Sequence, residues 1–479
     1  MAKDLAQAQA SGRKVSLREK IGFACSPATL EMISNFNSLY LMVFFTNVCG
    51  ISPAAAGTLM LLCTLWNAIN DPLIGFFADN RLFKNGEKMR PYYKLCTVPM
   101  GIFLILIYWM PQLDPKLGFV YAFVMYFFCD TFATAVQMPA LSMPMLMTDD
   151  ADQRISINTW YALGSTIGPI LCSVIAVTLM RFFGGVLGDG TILNARAGYR
   201  GAIIVFVAVM IAGQFIAYAA ARERVKPIRA EKTKVPLGRL LAVLFGERNW
   251  VLNLLFALCY VLVMQMVMGT VVYYATSVLD LPGYEQVIAP VLLIASFMPM
   301  PFIGLINKRF SRRGILVLAG ACFLLSKIPF IFFPRALWTV FFNAAVMGMG
   351  ISFGLVGINS NQAEVVDIIE WKSGYRIEGS INAIRGFVFK GLGAMAPFLL
   401  GLFMQLSGYV APTEALPAPV QNAATQQVFI SFLGWAPMII AALMVLLAFA
   451  IPTDRDAAEM RRLKAEKQSV DERNGGMPV

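Results

Sequence analysis

Trp66-Asn67-Ala68-Ile69-Asn70-Asp71-Pro72-Leu73-Ile74-Gly75 is a polar cluster set inside a long apolar run. With Ala54–Leu65 before it and Leu73–Ala78 at its end, the run comes to about 25 residues, enough to cross a bilayer as one helix. An ionisable side chain in such a span is expensive, and it usually faces a cavity and marks an ion or substrate path. Asp71 is therefore the first candidate for function. Asn67, Asn70 and Asp71 stand at i, i+3 and i+4, so a helix places them on one face, where bonding to neighbouring helices is the competing role.

The rest of the chain supplies a membrane setting. Hydrophobic residues are 58% of the 479 and charged residues 14%, with a mean hydropathy of +0.66, which excludes an ordinary soluble domain. The first 20 residues are polar and basic, with no apolar core ending in a small-residue cleavage site, so no removable signal peptide is expected. Eight cysteines fall singly in or beside apolar runs, implying neither disulfides nor a zinc site. Histidine is absent, which rules out imidazole relays and metal sites and leaves carboxylates, lysine and arginine for proton work. With no histidine and no Walker loop present, an enzyme is not expected, nor any organic cofactor.

The net charge of +11 follows the loops. Cations crowd the amino-terminal tail, Arg81–Arg90, Arg222–Arg248, Lys308–Arg313 and the tail after Arg455, whereas the alternate loops hold few or none. The positive-inside rule then puts both termini in the cytoplasm. Such clusters set topology or touch anionic lipid, and nucleic acid need not be invoked. Apolar runs long enough to span number twelve: 21–48, 54–78, 92–111, 116–147, 155–182, 200–221, 250–279, 285–307, 314–334, 337–366, 379–407 and 425–452. The expectation is an all-α polytopic membrane protein: a tail (1–20), a six-helix bundle (21–221), a cytoplasmic linker (222–249), a second six-helix bundle (250–453) and a tail (454–479). The linker reads as solvated, for Arg222–Arg248 holds eight Lys or Arg against three Glu.

The motif Trp66-Asn67-Ala68-Ile69-Asn70-Asp71-Pro72 resembles the second-helix signature of the melibiose permease family, the glycoside-pentoside-hexuronide:cation symporters. That family has two acids there, which bind the coupling cation; here Asn67 replaces the first. A second match is Glu364-Val-Val-Asp367-Ile-Ile-Glu370-Trp371-Lys372-Ser-Gly374-Tyr-Arg376-Ile-Glu378-Gly379, similar to the family's charged run at the cytoplasmic end of helix ten. The pair Gly75-x-x-x-Asp79-Asn80-Arg81 and Gly304-x-x-x-Lys308-Arg309 is a weak internal repeat resembling the loop motif of the major facilitator superfamily. The resemblance implies the major facilitator fold, two pseudo-symmetric bundles that give alternating access to a midplane site. It also implies a cytoplasmic gate drawing on Asp79, Arg81, Asp367, Glu370, Arg376 and Glu378, in which a structural role is the simpler one for Asp79 and Arg81.

Further residues gain expected roles from the same comparison. Glu31, halfway along the first span, keeps the family's spacing from Asp71 and is expected to accept bonds from sugar hydroxyls; a stabilising ion pair is the alternative. On the fourth span Asp130, Thr134 and Gln137 fall at i, i+4 and i+7 along one face. Thr134 matches a threonine near the cation and Gln137 replaces a second sugar-binding acid. Asp130 has no counterpart, and the hypothesis is that it restores the carboxylate lost at Asn67. Trp160 and Tyr161 stand near a family arginine, either stacking on a pyranose ring or anchoring the interface. Tyr273 and Tyr274 are further candidates for the lining. Lys390 matches a buried lysine that approaches the cation site, where it can neutralise Asp71 when no cation is bound. Arg385 lies outside the usual pattern, five residues away, and is a candidate for an acidic group on the substrate. Lys327, alone in the ninth span, has no assigned role unless it snorkels.

The expected activity is cation-coupled symport of a glycoside or uronide sugar, with the proton favoured over sodium and sodium at Asp71 as the open alternative. Gln137 and Arg385 tilt the reading toward an acidic sugar, and Glu31 argues against it. A lysolipid or amphiphile carrier is a further alternative, and a non-transporting ligand sensor a remote one. The working state is expected to be a monomer.

Overall fold

A computed structural model describes residues 14–80, 83, 86–148, 150–186, 192–224, 237–299, 302, 311–373, 378–412, 419–460 and 462–463. Among these residues the regular structure is helical, apart from one isolated bridge between Val186 and Ile192. The elements are α1 (Leu17–Val43), continued by a π-helical turn Phe44–Val48, α2 (Pro53–Asn80), α3 (Arg90–Tyr108), α4 (Pro115–Met147), α5 (Ala151–Gly184), α6 (Ala195–Ala220), α7 (Leu237–Gly246), α8 (Arg248–Ser277), α9 (Glu285–Phe297), α10 (Arg312–Phe332), α11 (Leu337–Ser373), α12 (Glu378–Gly393), α13 (Met395–Leu406), α14 (Ala423–Ile430), a second π-turn Ser431–Trp435, and α15 (Ala436–Ala450). Eleven of the twelve apolar runs read from the sequence fall on one or two of these helices; the run 285–307 meets α9 over its first part, and 300–301 and 303–307 lie outside the described residues. Nine of the described helical stretches are long and apolar enough to cross a membrane by length and composition.

Packing gathers the chain into two compact units. Unit 1 is Met1–Glu231 with Gln265–Leu293 and Ala394–Leu433; unit 2 is Lys232–Met264, Ile294–Gly393 and Gly434–Val479. This partition follows contacts, whereas the expected bundles follow chain order, and the two cut α8 at different places.

Unit 1 is held by small residues and internal polar bonds, as helices without a hydrophobic drive between them must be. Gly164 and Gly168 of α5 press on α1 so closely that an added Cβ would lie 2.3 Å from the Ala24 carbonyl oxygen and 1.9 Å from that of Ala28. Asn35 of α1 donates to the Pro169 carbonyl at 3.1 Å and the Ser173 hydroxyl at 2.9 Å. Gln214 of α6 accepts from Ser26 and donates to Thr29, each at 2.9 Å. At the start of α3 the carboxylate of Glu223 accepts the backbone N–H groups of Lys88, Met89 and Arg90 at 2.6–2.8 Å, filling donors that a helix N-terminus leaves open.

The far end of unit 1, where α1 stops, is dense. Gly57 of α2 meets the backbone of Pro397 and Phe398, and Gly401 of α13 meets that of Pro53. The Tyr273 and Thr46 hydroxyls lie 2.8 Å apart, Tyr409 donates to Asn47 at 2.8 Å, and Tyr273 stacks on Phe429 with centroids 5.5 Å apart.

Unit 2 corrects the reading of the linker as solvated throughout. Its second part forms α7, whose Leu244 is fully buried with Trp250, Leu254, Val365, Ile369 and Ile381. The basic residues of 222–248 masked an apolar run in 240–245, which packs through Leu244 and, in part, Val243 once a core is offered. The charged end of α11 is paired within the unit: Glu364 with Arg312, and Lys372 with Glu247 at 2.9 Å.

Candidate functional site

Two helices build the centre of unit 1. On α2 the i, i+3, i+4 spacing turns Asn67, Asn70 and Asp71 to α4, and on α4 Asp130 and Thr134, one turn apart, face back. The Asn67 amide donates to the Asp130 carboxylate. Asn70 donates to the Thr134 hydroxyl at 3.0 Å and to the Asp130 carbonyl at 3.4 Å. Thr134 in turn donates to Asp71 Oδ1 at 3.0 Å. The arrangement is one connected network joining two carboxylates, with Asn70 1%, Thr134 3% and Asp130 7% exposed. Trp66, beside it, stacks on Phe127 at 4.1 Å and donates to Thr131 at 3.2 Å, fixing α2 against α4.

A cavity of about 260 Å³ lies against this network. Asn67 and Asp130 form part of its wall, together with Gln137 of α4 and Glu31 and Asn37 of α1. Gln265 and Met268 of α8 and Ala394 and Pro397 at α13 line it as well, all inside unit 1. Asp71 stands behind the wall and connects to it through Thr134. Among the described residues neither lysine nor arginine lines the cavity, while two carboxylates do.

The structure thus brings Asn67, Asn70, Asp71, Asp130 and Thr134 together and places Glu31 and Gln137 on the same cavity. Trp160 and Tyr161 are not among its lining residues, although Tyr161 lies beside Glu31 and 6.3 Å from the Phe23 ring. Tyr273 is in the packed far end instead. Arg385 and Lys390 are both on α12, in unit 2; the Arg385 guanidinium donates to Asn359 at 3.1 Å and to Gln362, both on α11, and covers the Phe389 ring at 5.5 Å. Asp367 is exposed and Glu370 half-buried at the end of α11. Arg81 and Arg376 fall outside the described residues, as do the side chains of Asp79 and Glu378, whose backbones lie in α2 and α12. Sequence reading missed Ser34, Asn37 and Ser38, which share the cavity with Glu31; the i+3 and i+7 spacing of the two serines from Glu31 was the available signal.

An isoprimeverose transporter of Lactiplantibacillus pentosus is 27% identical to this chain over 431 residues, 89% of this chain and 88% of the relative. The inner membrane symporter YicJ of Escherichia coli K12 is 26% identical, covering 91% of each. A glucuronide carrier protein homolog of the same organism is 25% identical, covering 86% of this chain and 89% of the relative. Among solved structures, a bacterial homolog of the human lysosomal transporter Spinster, inward-facing and unoccupied, superposes with a TM-score of 0.65 at 14% identity, covering 93% of this chain and 97% of that one. The nucleoside transporter NupG gives 0.60 at 13% identity, covering 91% and 98%, so the two share the fold. These relatives are transporters and not enzymes, and the apolar helices make this an integral membrane protein. The match that fixes its place runs from residue 22 to residue 455: the chain belongs to the MFS/sugar transport protein family, among the glycoside-pentoside-hexuronide symporters that its second-span motif resembles.

Proposed function

We propose that this sugar transporter is a proton-coupled symporter of a neutral glycoside, working by alternating access as a monomer in a bacterial inner membrane with both termini cytoplasmic. The observation that carries the reading is the hydrogen-bonded chain from Asp71 through Thr134 and Asn70 to Asp130 and Asn67, set against the wall of the cavity. A carboxyl group in that network can take or lose a proton beside the substrate without an ion cage. Both asparagines donate into the network, and each bond occupies an oxygen that a desolvated sodium ion would have to claim. The proton therefore has the better-matched site, and sodium is the second reading.

The substrate class follows from the lining. Glu31 and Asp130 accept hydrogen bonds from hydroxyl groups, Gln137 and Asn37 serve either role, and a carboxylate-bearing sugar would meet two negative charges with no cation beside them among the described residues. The relatives' names include both isoprimeverose and glucuronide, so they do not choose between neutral and acidic sugars; the lining favours the neutral class. The cavity is close to the lower end of small-ligand pockets, roughly 300 Å³. The test is uptake into proteoliposomes under imposed proton or sodium gradients, with labelled neutral glycosides and uronides. Accumulation of a neutral glycoside driven by the proton gradient is expected. Accumulation driven only by sodium, or only of uronides, refutes the corresponding half of the proposal.

A further inference from the structure

Two amide side chains on the cavity wall, Asn37 of α1 and Gln137 of α4, differ in their freedom to turn. Among the described residues no hydrogen bond from the protein holds Gln137. Asn37 is held: the Tyr108 hydroxyl, at the end of α3, donates to its Oδ1 at 2.9 Å. Tyr108 is fully buried and stands behind the wall, outside the cavity lining. Its ring is boxed by Phe36 and Phe44, with centroids 5.6 and 4.8 Å away, and stacks on Tyr199 of α6 at 6.2 Å. Among the described residues Asn37 Oδ1 is the one acceptor that the phenol meets.

That bond decides which way the amide faces. One end of an asparagine side chain accepts and the other donates. A buried phenol left without an acceptor is costly, so the orientation with Oδ1 on Tyr108 is favoured over its flip. Nδ2, which makes no bond to the protein among the described residues, is then the end that Asn37 offers to a ligand. The two carboxylates of the same wall, Glu31 and Asp130, offer acceptors. We propose that Asn37 is a donor site for one oxygen of the substrate and that Tyr108 is the positioning residue that keeps it a donor. The cavity thereby tells a hydroxyl that must accept from one that must donate, and so selects among sugars by where their hydroxyls point. This assignment rests on the glycoside reading and adds a direction to one of its contacts.

Sugar analogues separate the two kinds of contact. Replacing a hydroxyl by fluorine keeps a weak acceptor and removes the donor, whereas replacing it by hydrogen removes both. The probes are methyl xyloside, methyl glucoside and methyl galactoside, with the monodeoxy and monodeoxyfluoro derivatives of each, and the readout is their affinity for the reconstituted full chain. At one ring position the fluoro derivative should bind roughly threefold or more tightly than the deoxy one, the worth of one neutral hydrogen bond. Asn37→Asp keeps the size of the side chain and the bond from Tyr108 but presents only acceptors. In that variant the fluoro-to-deoxy ratio should fall to one or below, while the parent glycoside still binds because its hydroxyl turns to donate. Tyr108→Phe should lower the same ratio and add nothing in the Asn37→Asp background. A ratio of one at every position in the wild type overturns the proposal. So does a ratio unmoved in either variant, since a merely structural loss weakens parent, deoxy and fluoro derivatives alike. Should one variant fail to fold, the ratio in the other decides. Binding of none of the three parents refutes the glycoside reading and this assignment with it, whereas parents that bind with an unmoved ratio refute the assignment alone.

Discussion

Asp71 and Lys327 look alike in the sequence, each a lone charge midway along an apolar span, and the structure separates them. Asp71 belongs to a network that reaches a cavity through Thr134, Asn67 and Asp130. Lys327 of α10 is fully buried in unit 2, where its amine meets the Asn343 amide oxygen at 2.9 Å and the Met347 sulfur at 3.4 Å. No carboxylate pairs with it among the described residues, and it does not snorkel. An intramembrane charge is a functional candidate by default, but the deciding feature is whether it can exchange its partner. The network beside the cavity can; the walled-in lysine cannot.

The largest effects should divide along that line. Asp71→Asn should reduce uphill accumulation in proteoliposomes to the equilibrium level while substrate exchange persists. Lys327→Met, close in shape, should accumulate as wild type does and lose about 1–3 kcal/mol of stability, the cost of leaving the buried Asn343 oxygen without its donor. If Lys327→Met abolishes accumulation, the distinction between the two regions fails.

Packing can be set apart from chemistry within unit 1. Gly168→Ala adds a methyl group into the backbone of α1 and should cost about 1–3 kcal/mol or more by thermal unfolding in detergent. Gly386→Ala in α12, where an added Cβ meets nothing within 4 Å, should instead stabilise by about 0.5–1 kcal/mol. Equal outcomes for the two glycines would show that close approach of α1 and α5 is not what holds unit 1.

A smaller effect belongs to the sugar wall. Glu31→Gln should weaken glycoside binding by about 1.5–3 kcal/mol, the range for a hydrogen bond to a charged group, with the proton dependence of binding unaltered. Unchanged affinity removes Glu31 from the contact set, and a lost proton dependence would merge the wall with the network behind it.

The smallest effect should come from the surface. Glu19, in the capping box that opens α1 with Ser16, is pushed up by partial burial but pulled further down by the Ser16 backbone N–H and the Arg224 guanidinium, so its carboxyl lies below the usual range. Its contribution to stability is therefore present above the unfolded value of about 4.3 and is lost as pH falls through the folded one. Glu19→Gln should cost no more than about 1 kcal/mol at neutral pH, given solvent screening, and that difference should vanish in acid. A difference that grows in acid reverses the assignment.

Much of this was legible because membrane helices announce themselves by length. The α2–α4 network was readable too, since i, i+3, i+4 and i, i+4 spacings fix faces before any fold is known. Other parts were not. Whether Glu31 keeps a cavity or an ion pair depends on what α5 and α6 put beside it. The bonds from Arg385 to Asn359 and Gln362, over twenty residues earlier, could not be read from spacing. Gly164 and Gly168 were visible as small residues four apart, but the helix they would meet was not. Glu285, 4% exposed at the start of α9, gave no hint of burial, because an acid after Leu-Pro-Gly-Tyr reads as an ordinary exposed helix start.

The central claim is that Asp130 supplies the carboxylate that Asn67 lacks, across a hydrogen bond that already joins them. The direct measurement is the proton dependence of glycoside binding in Asp130→Asn and in the exchange Asn67→Asp with Asp130→Asn. The single variant should bind with a dependence reduced or lost, and the double variant should recover it, because the pair is then only reversed. Full proton dependence in Asp130→Asn contradicts the account.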